Sequence, residues 1–505
     1  MSRTPLMRLL RRAINAAQHD ASRRDFIRTS AMAGAALALP SFLSGCGKPS
    51  ELKVDRTVKV AVVGAGLAGL HAAWLLHNKG VNVDVYEASK RVGGRVMTSH
   101  DLLVNGTWTE LGGEFIDSGH GDMLTLASQF GVELIDTETT RLGEDDTFYF
   151  FGQHFTMQDI VTEISPYLDR IREDQGRMPP SMTDLKNSPA SALDAMSLDT
   201  YLASIGVGGW LRSFLEVAFV TENGLELGEQ SALNFIMMVS PDVADGSFHT
   251  FGASDERFVA KGGVQQITDR LADPLRTSIH TGHKLTRIER SGTRFVLTFR
   301  KDTTNYDVLA DHVVLAIPFT MLRDVEMDVD LPEIKKRAIN ELRYGSNGKI
   351  LMGFEEPFWQ ADGNSGSILT DLPLQLVWDN TYLQQVKGAG LTMYYGGSMS
   401  RVIGSMSIEQ VGTMMMEHLA TVWPSFANVT RGRTERMHWP SYPYVKASYS
   451  AYGPGQWTLF YGTEGESVGN LHFAGEHCSL QHKGYMNGAA ETGRYAAEKI
   501  LAAMA

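Results

Sequence analysis

The run VKVAVVGAGLAGLHAAWLLHNKGVNVDVYEA at residues 58–88 constrains the fold more than any other stretch of the chain. Residues 58–63 are a short β-branched run suited to a buried parallel strand. Gly64, Ala65, Gly66, Leu67, Ala68 and Gly69 then spell G-x-G-x-x-G. In that pattern the first glycine permits a tight turn and the second lets backbone approach a pyrophosphate. The third lets the following helix pack on the strand. A helix is predicted from about Leu67 to Asn78, with its N-terminal amides aimed at phosphate. Residues 81–86 return as a second strand. Glu87 and Ala88 end it at the distance where a carboxylate bonds a ribose hydroxyl. Strand, helix, second strand and acid stand in register, which points to a bound dinucleotide.

The residues beyond Ala88 narrow the choice of dinucleotide. ASKRVGGRVMT follows, and Arg95 beside two glycines can reach a diphosphate while backbone packs closely. TELGGEFID spans 109–117, KGGVQQITDRLA spans 261–272 and YGSNGKI spans 344–350. EEPFW lies at 355–359, and LHFAGEHCSLQHKGYMNGAAETGRYAAEKI at 471–500. In this order the motifs resemble the FAD-dependent flavin monoamine oxidase family, which also includes L-amino-acid oxidases. The resemblance implies an α/β fold: a Rossmann-type FAD-binding flavoprotein oxidase with an interleaved α+β substrate domain. The FAD domain would collect residues 55–140, 255–325 and 440–505, and the substrate domain 141–254 and 326–439. Residues 165–215 agree, because SPYLDRIRE and LDTYLASIG read as helices and lack the Val/Ile runs of a parallel sheet.

The resemblance carries over residue by residue. Gly112, Gly113, Glu114 and Phe115 would pass near the isoalloxazine, Leu285 would lie against adenine, and Gly475, Glu476, Gly484, Tyr485 and Met486 would close over the flavin. Two aromatic faces are expected beside the reacting amine, Tyr449 and Tyr485, forming an apolar slot that favours the neutral amine. Lys349 would hold a water and a positive charge beside flavin N5. The implied activity is oxidation of a C–N bond by hydride transfer to N5, with molecular oxygen as acceptor. Hydrogen peroxide would form, and the imine would hydrolyse to an aldehyde or keto product and ammonia.

Two departures qualify the match. In covalently flavinylated members a Cys precedes the first cage tyrosine. Here Ser448 stands there and cannot form a thioether, so FAD is expected to be non-covalent. Amino-acid oxidases place an Arg after the Gly pair as a carboxylate clamp, whereas here Glu114 follows it. That favours amines lacking a carboxylate, although Arg343 is a second candidate cation. An L-amino-acid oxidase or tryptophan 2-monooxygenase-like enzyme is the alternative. A flavin-bound envelope protein without turnover is the third reading, and Lys349, Tyr449 and Tyr485 argue against it.

Charge and cysteine bound the partners. The net charge is −12, and residues 1–45 hold seven arginines against Asp20 and Asp25. The remainder is therefore strongly acidic, which disfavours a nucleic-acid partner. Ser22-Arg23-Arg24-Asp25-Phe26 and the weakly apolar stretch after it resemble a twin-arginine signal, implying export of a folded protein by the twin-arginine translocation machinery. LSGC at 43–46 resembles a lipobox, making Cys46 a candidate lipid anchor in a periplasmic or envelope protein. With two cysteines in all, neither a disulfide scaffold nor a cysteine-ligated metal site is expected, and Cys478 reads as a small buried thiol.

Overall fold

Val60, Ala61, Val62 and Val63 are almost wholly excluded from solvent in the computed structural model, as a strand with helices on both faces requires. The structure describes residues 57–137, 145–241, 254–361, 363–382 and 384–505. The signal segment, Arg23-Arg24 and Cys46 lie outside the described residues. Lys59–Val63 is the centre of a five-stranded parallel sheet, flanked by Asn82–Glu87 and His312–Leu315. Ile279–Thr281 and Leu471–Phe473 complete its two edges. Strands about 250 and 410 residues downstream thus enter the sheet that the fingerprint begins.

The helix after the fingerprint runs Leu67–Asn78, as its sequence predicts. A Cβ on Gly69 would fall 2.0 Å from the Gly64 carbonyl oxygen, so only glycine lets this helix lie so close to the strand. The second strand starts at Asn82 rather than Val81, because the Val81 amide is still bonded to the Leu76 carbonyl at the helix end. The long C-terminal helix Met486–Ala503 packs against the fingerprint helix through Ala490, Ala496, Ala497 and Ile500.

A second sheet has seven strands. Its order is Thr434–His438, Asn347–Phe354, Ala389–Gly396, Leu376–Asp379, Asn364–Thr370, Asp145–Phe150 and Gln153–Phe155. It is mixed, since Asn364–Thr370 pairs with Asp145–Phe150 in parallel and with Leu376–Asp379 antiparallel. One face carries the helices Met157–Ile164, Leu168–Gln175, Leu198–Ser204 and Gly209–Asn223. These cover the stretch expected to be helical. Ile160, Ile171, Phe214 and Phe219 are fully buried in this layer, each burial stabilising by about 1.5–3 kcal/mol. Asn347–Phe354 is buried along its whole length, which fixes Lys349 inside the protein. Among the described residues no helix is long and apolar enough to cross a membrane.

Candidate active site

A cavity runs from the fingerprint to the seven-stranded sheet, where residues of three interior strands line it. At one end it is walled by Gly64, Gly66, Leu67, Ala68, Glu87 and Ala88. Leu285 and Arg95 line it further along, followed by Gly112, Gly113, Glu114 and Phe115. Lys349, Tyr449, Gly475, Glu476, Gly484, Tyr485 and Met486 line it too. Two expected contacts do not reach it. Ala65 instead gives its amide to Glu87 Oε2 at 2.8 Å, and Gly69 is consumed in packing helix on strand. Arg343 also lies elsewhere, 3.9 Å from Glu229, and does not line the cavity.

The fingerprint end fits an anionic dinucleotide. The helix Leu67–Asn78 opens into the cavity, and no side chain caps its first turn at Gly66. Its amides and the positive end of the helix dipole are therefore presented to a phosphate. Gly94, at φ +57°, approaches so closely that an added Cβ would lie 3.1 Å from Gly66 Cα. This backbone-on-backbone cradle leaves the cavity open to a flat or extended ligand. Glu87 is held by the amides of Ala65 and Ser89, at 2.8 and 2.7 Å, which fixes its orientation at the cavity wall.

Arg95 joins the cradle to the C-terminal motif. Its Nη1 donates to the Ser448 carbonyl at 2.6 Å and to Glu476 Oε1 at 2.9 Å. Glu476 also accepts from the Ser450 hydroxyl and the Gly484 amide, both at 2.8 Å. Burial alone would raise this carboxyl, but Arg95 and the bond from Ser450 outweigh it and hold Glu476 at about 2. Ser448 is buried, its hydroxyl 2.6 Å from Asn347 Oδ1. Cys478 is buried as expected, and burial pushes its thiol up to about 12, so it is inert.

The other end is aromatic and ionic. Lys349 is 4% exposed, and its three ammonium hydrogens meet three acceptors. These are the carbonyls of Glu110 and Gly112, at 2.9 and 3.1 Å, and Glu114 Oε2 at 2.9 Å. Trp378 Nε1 donates to the other oxygen of Glu114 at 3.2 Å. Tyr394 stands opposite Lys349 across the strand pair, and its hydroxyl is 2.9 Å from that of Tyr449. Tyr449 donates in turn to the Glu222 carbonyl at 2.8 Å. Tyr485 lies edge-on to His120, with ring centroids 5.1 Å apart. His120 is kept neutral by burial, which lowers it to about 3. Glu110, behind Lys349, is pushed up to about 8 by burial.

Trp378 and Tyr394 line the cavity, although no motif in the sequence marks them. Both sit on strands buried along their whole length, LVWD and AGLTMYYG, where an aromatic reads as core. Asp117 and Glu256 line it as well; the Glu256 amide bonds Asp117 Oδ1 at 2.9 Å. Glu256 adopts φ +44°, a backbone feature with no sequence signal in a non-glycine residue.

Comparison with known proteins agrees with this geometry. Residues 67–501 match the family described as flavin containing amine oxidoreductase, and residues 20–40 match the twin-arginine translocation pathway signal sequence. The chain is 28% identical over 466 residues to flavin-containing amine oxidase B of Canis lupus familiaris and of Homo sapiens, covering 88% of this chain and 86% of each relative. Among solved structures, cyclohexylamine oxidase from Brevibacterium oxydans IH-35A superposes with a TM-score of 0.77 at 24% identity, over 88% of this chain and 99% of that one. Putrescine oxidase bound to putrescine gives 0.74 at 21% identity, with the same coverage. The chain belongs to the flavin-containing amine oxidoreductase family: it is an FAD-dependent oxidoreductase carrying a twin-arginine signal.

Proposed function

We propose that this protein oxidises the C–N bond of a small amine to an imine, with molecular oxygen as the final acceptor and hydrogen peroxide as co-product. The observation that carries this reading is the convergence of Lys349, Tyr449 and Tyr485 on the cavity that the fingerprint glycines open. FAD, when bound, supplies the hydride-accepting and oxygen-reducing chemistry. The protein binds, orients and controls protonation.

Gly64, Gly66, the amides of the fingerprint helix and Arg95 would hold the diphosphate, Glu87 the ribose, and Leu285 the adenine. Gly112 to Phe115, Glu476 and Gly484 to Met486 would frame the ring system, and Ser448 leaves FAD non-covalent. Tyr449 and Tyr485 would flank the amine. The Tyr449 hydroxyl is turned to the Glu222 carbonyl and to Tyr394, and that fixes the ring's orientation. Lys349, paired with Glu114, would set an ammonium beside the site of oxygen reduction, its local field favouring an anionic product there. FAD-holding residues come from 55–140, 255–325 and 440–505, and the remaining substrate walls from 141–254 and 326–439. The twin-arginine signal supports export of the folded, FAD-loaded protein to the periplasm or envelope, with Cys46 as its lipid attachment point.

The test is a peroxide assay on purified yellow protein across a panel of amines and amino acids. Peroxide and ammonia in equal amounts from an amine support the reading. Turnover confined to amino acids would establish the L-amino-acid oxidase alternative, and no turnover with any member would leave a binding protein.

A further inference from the structure

Among the described residues, four lysine and arginine side chains line the cavity: Arg91, Arg95, Lys284 and Lys349. Arg91 is spent on backbone carbonyls, and Arg95, with Nη1 on the Ser448 carbonyl and Glu476, stands on the side assigned to the diphosphate. Lys284 lies at the Glu87 end, where the neighbouring His283 amide bonds the Glu87 carbonyl at 2.8 Å. Among the described residues, Lys349 is thus the cation of the aromatic end, where the substrate is placed. Its charge is matched by Glu114 at 2.9 Å, and the pair is nearly enclosed, with side chains 5% and 12% exposed. Glu114 is itself fixed from the far side by Trp378, whose ring lies 5.3 Å from the Lys349 ammonium.

A substrate carboxylate needs a cation whose charge is not already compensated. Here each ammonium hydrogen of Lys349 already has an acceptor, and its charge has a counterion. We infer that Glu114 is a specificity-determining residue: by occupying Lys349 it closes the substrate end to carboxylates and restricts the enzyme to amines without one. This inference deepens the amine-oxidase reading and rests on its placement of the substrate. If it holds, removing only the negative charge of Glu114 leaves a buried ammonium in search of an anion, and the cavity should begin to accept carboxylates.

Benzoate, a flat aromatic carboxylate, is the probe, titrated near pH 7 into FAD-loaded protein and followed by the flavin absorbance. The readout needs no turnover, so it is independent of whether any amine is oxidised. The parent should bind benzoate weakly, and Glu114→Gln should bind it at least about tenfold more tightly, the size of one charge-assisted contact. The gain should vanish in the double variant Glu114→Gln, Lys349→Met. A dissociation constant within about twofold of the parent in Glu114→Gln would overturn the inference. So would an equal gain in the double variant. Loss of FAD and fold in both Glu114→Gln and Glu114→Ala would also overturn it, by showing a purely structural role.

Discussion

Arg95 and Glu476, 381 residues apart in sequence, are joined by a hydrogen-bonded ion pair of 2.9 Å at the cavity wall. One belongs to the turn after the fingerprint acid and the other to the C-terminal motif, so the pair ties the two ends of the FAD site together. The Arg95 side chain is 25% exposed and keeps the Ser448 carbonyl, so breaking the pair from the Glu476 side costs about 1–3 kcal/mol.

Glu476→Gln should therefore lower stability by that order and weaken FAD retention. The pH dependence has a definite sign. A carboxyl held at about 2 instead of its ordinary 4.5 stabilises the fold fully above pH 4.5. That contribution, about 3 kcal/mol, is lost as pH falls toward 2. Urea midpoints measured from pH 7 downward should fall through this window for the parent. The same step should be missing in Glu476→Gln, and an unchanged step would assign the acid sensitivity to other carboxylates.

Lys349→Met should keep the flavin and slow its reoxidation. Losing one placed charge from a dry site costs about 3 kcal/mol, on the order of a hundredfold in rate. The protein is reduced anaerobically and then mixed with oxygen, which isolates that step from substrate binding. Because Glu114 is left without its partner, melting temperature is recorded alongside. A reoxidation rate within about twofold of the parent would remove Lys349 from the site.

Ser448 predicts a dissociable cofactor. Acid precipitation of the yellow protein should release all flavin into the supernatant, and flavin retained on the pellet would contradict the non-covalent assignment. Ser448 is buried, with its hydroxyl bonded to Asn347. Ser448→Ala should accordingly cost only about 1–3 kcal/mol of stability and still release its flavin.

Much of the cofactor end was legible in the sequence because backbone geometry restricts it. Only glycine fits where helix meets strand at Gly69, and a strand, turn, helix and acid at fixed spacing leave few alternatives. The substrate end was less legible. Lys349 is marked by a motif, but the aromatic residues beside it, Trp378 and Tyr394, are not, because strand pairing across the seven-stranded sheet brings them there. Strand register between distant segments leaves no local spacing to read. In the sequence Glu114 reads as a residue near the isoalloxazine and as the absence of an arginine. That it is the counterion of Lys349 follows only from the fold bringing residues 114 and 349 within 2.9 Å.

Substituting both Arg23 and Arg24 by Lys should block export and leave folded, flavin-loaded precursor in the cytoplasm. Cell fractionation followed by flavin fluorescence of each fraction checks this. Continued translocation of the double variant would contradict dependence on the twin-arginine pair. Cys46→Ala tests the lipid anchor separately: the exported protein should move from the membrane to the soluble fraction.

One anaerobic experiment with the purified, FAD-loaded protein tests the amine-oxidase assignment most directly. Adding an amine in the absence of oxygen should bleach the flavin absorbance in a single turnover. Admitting oxygen should then restore it, with one hydrogen peroxide released per flavin. A flavin that stays oxidised across the amine panel, or one that is reduced but returns no peroxide on exposure to oxygen, would contradict the assignment of this chain as an amine oxidase.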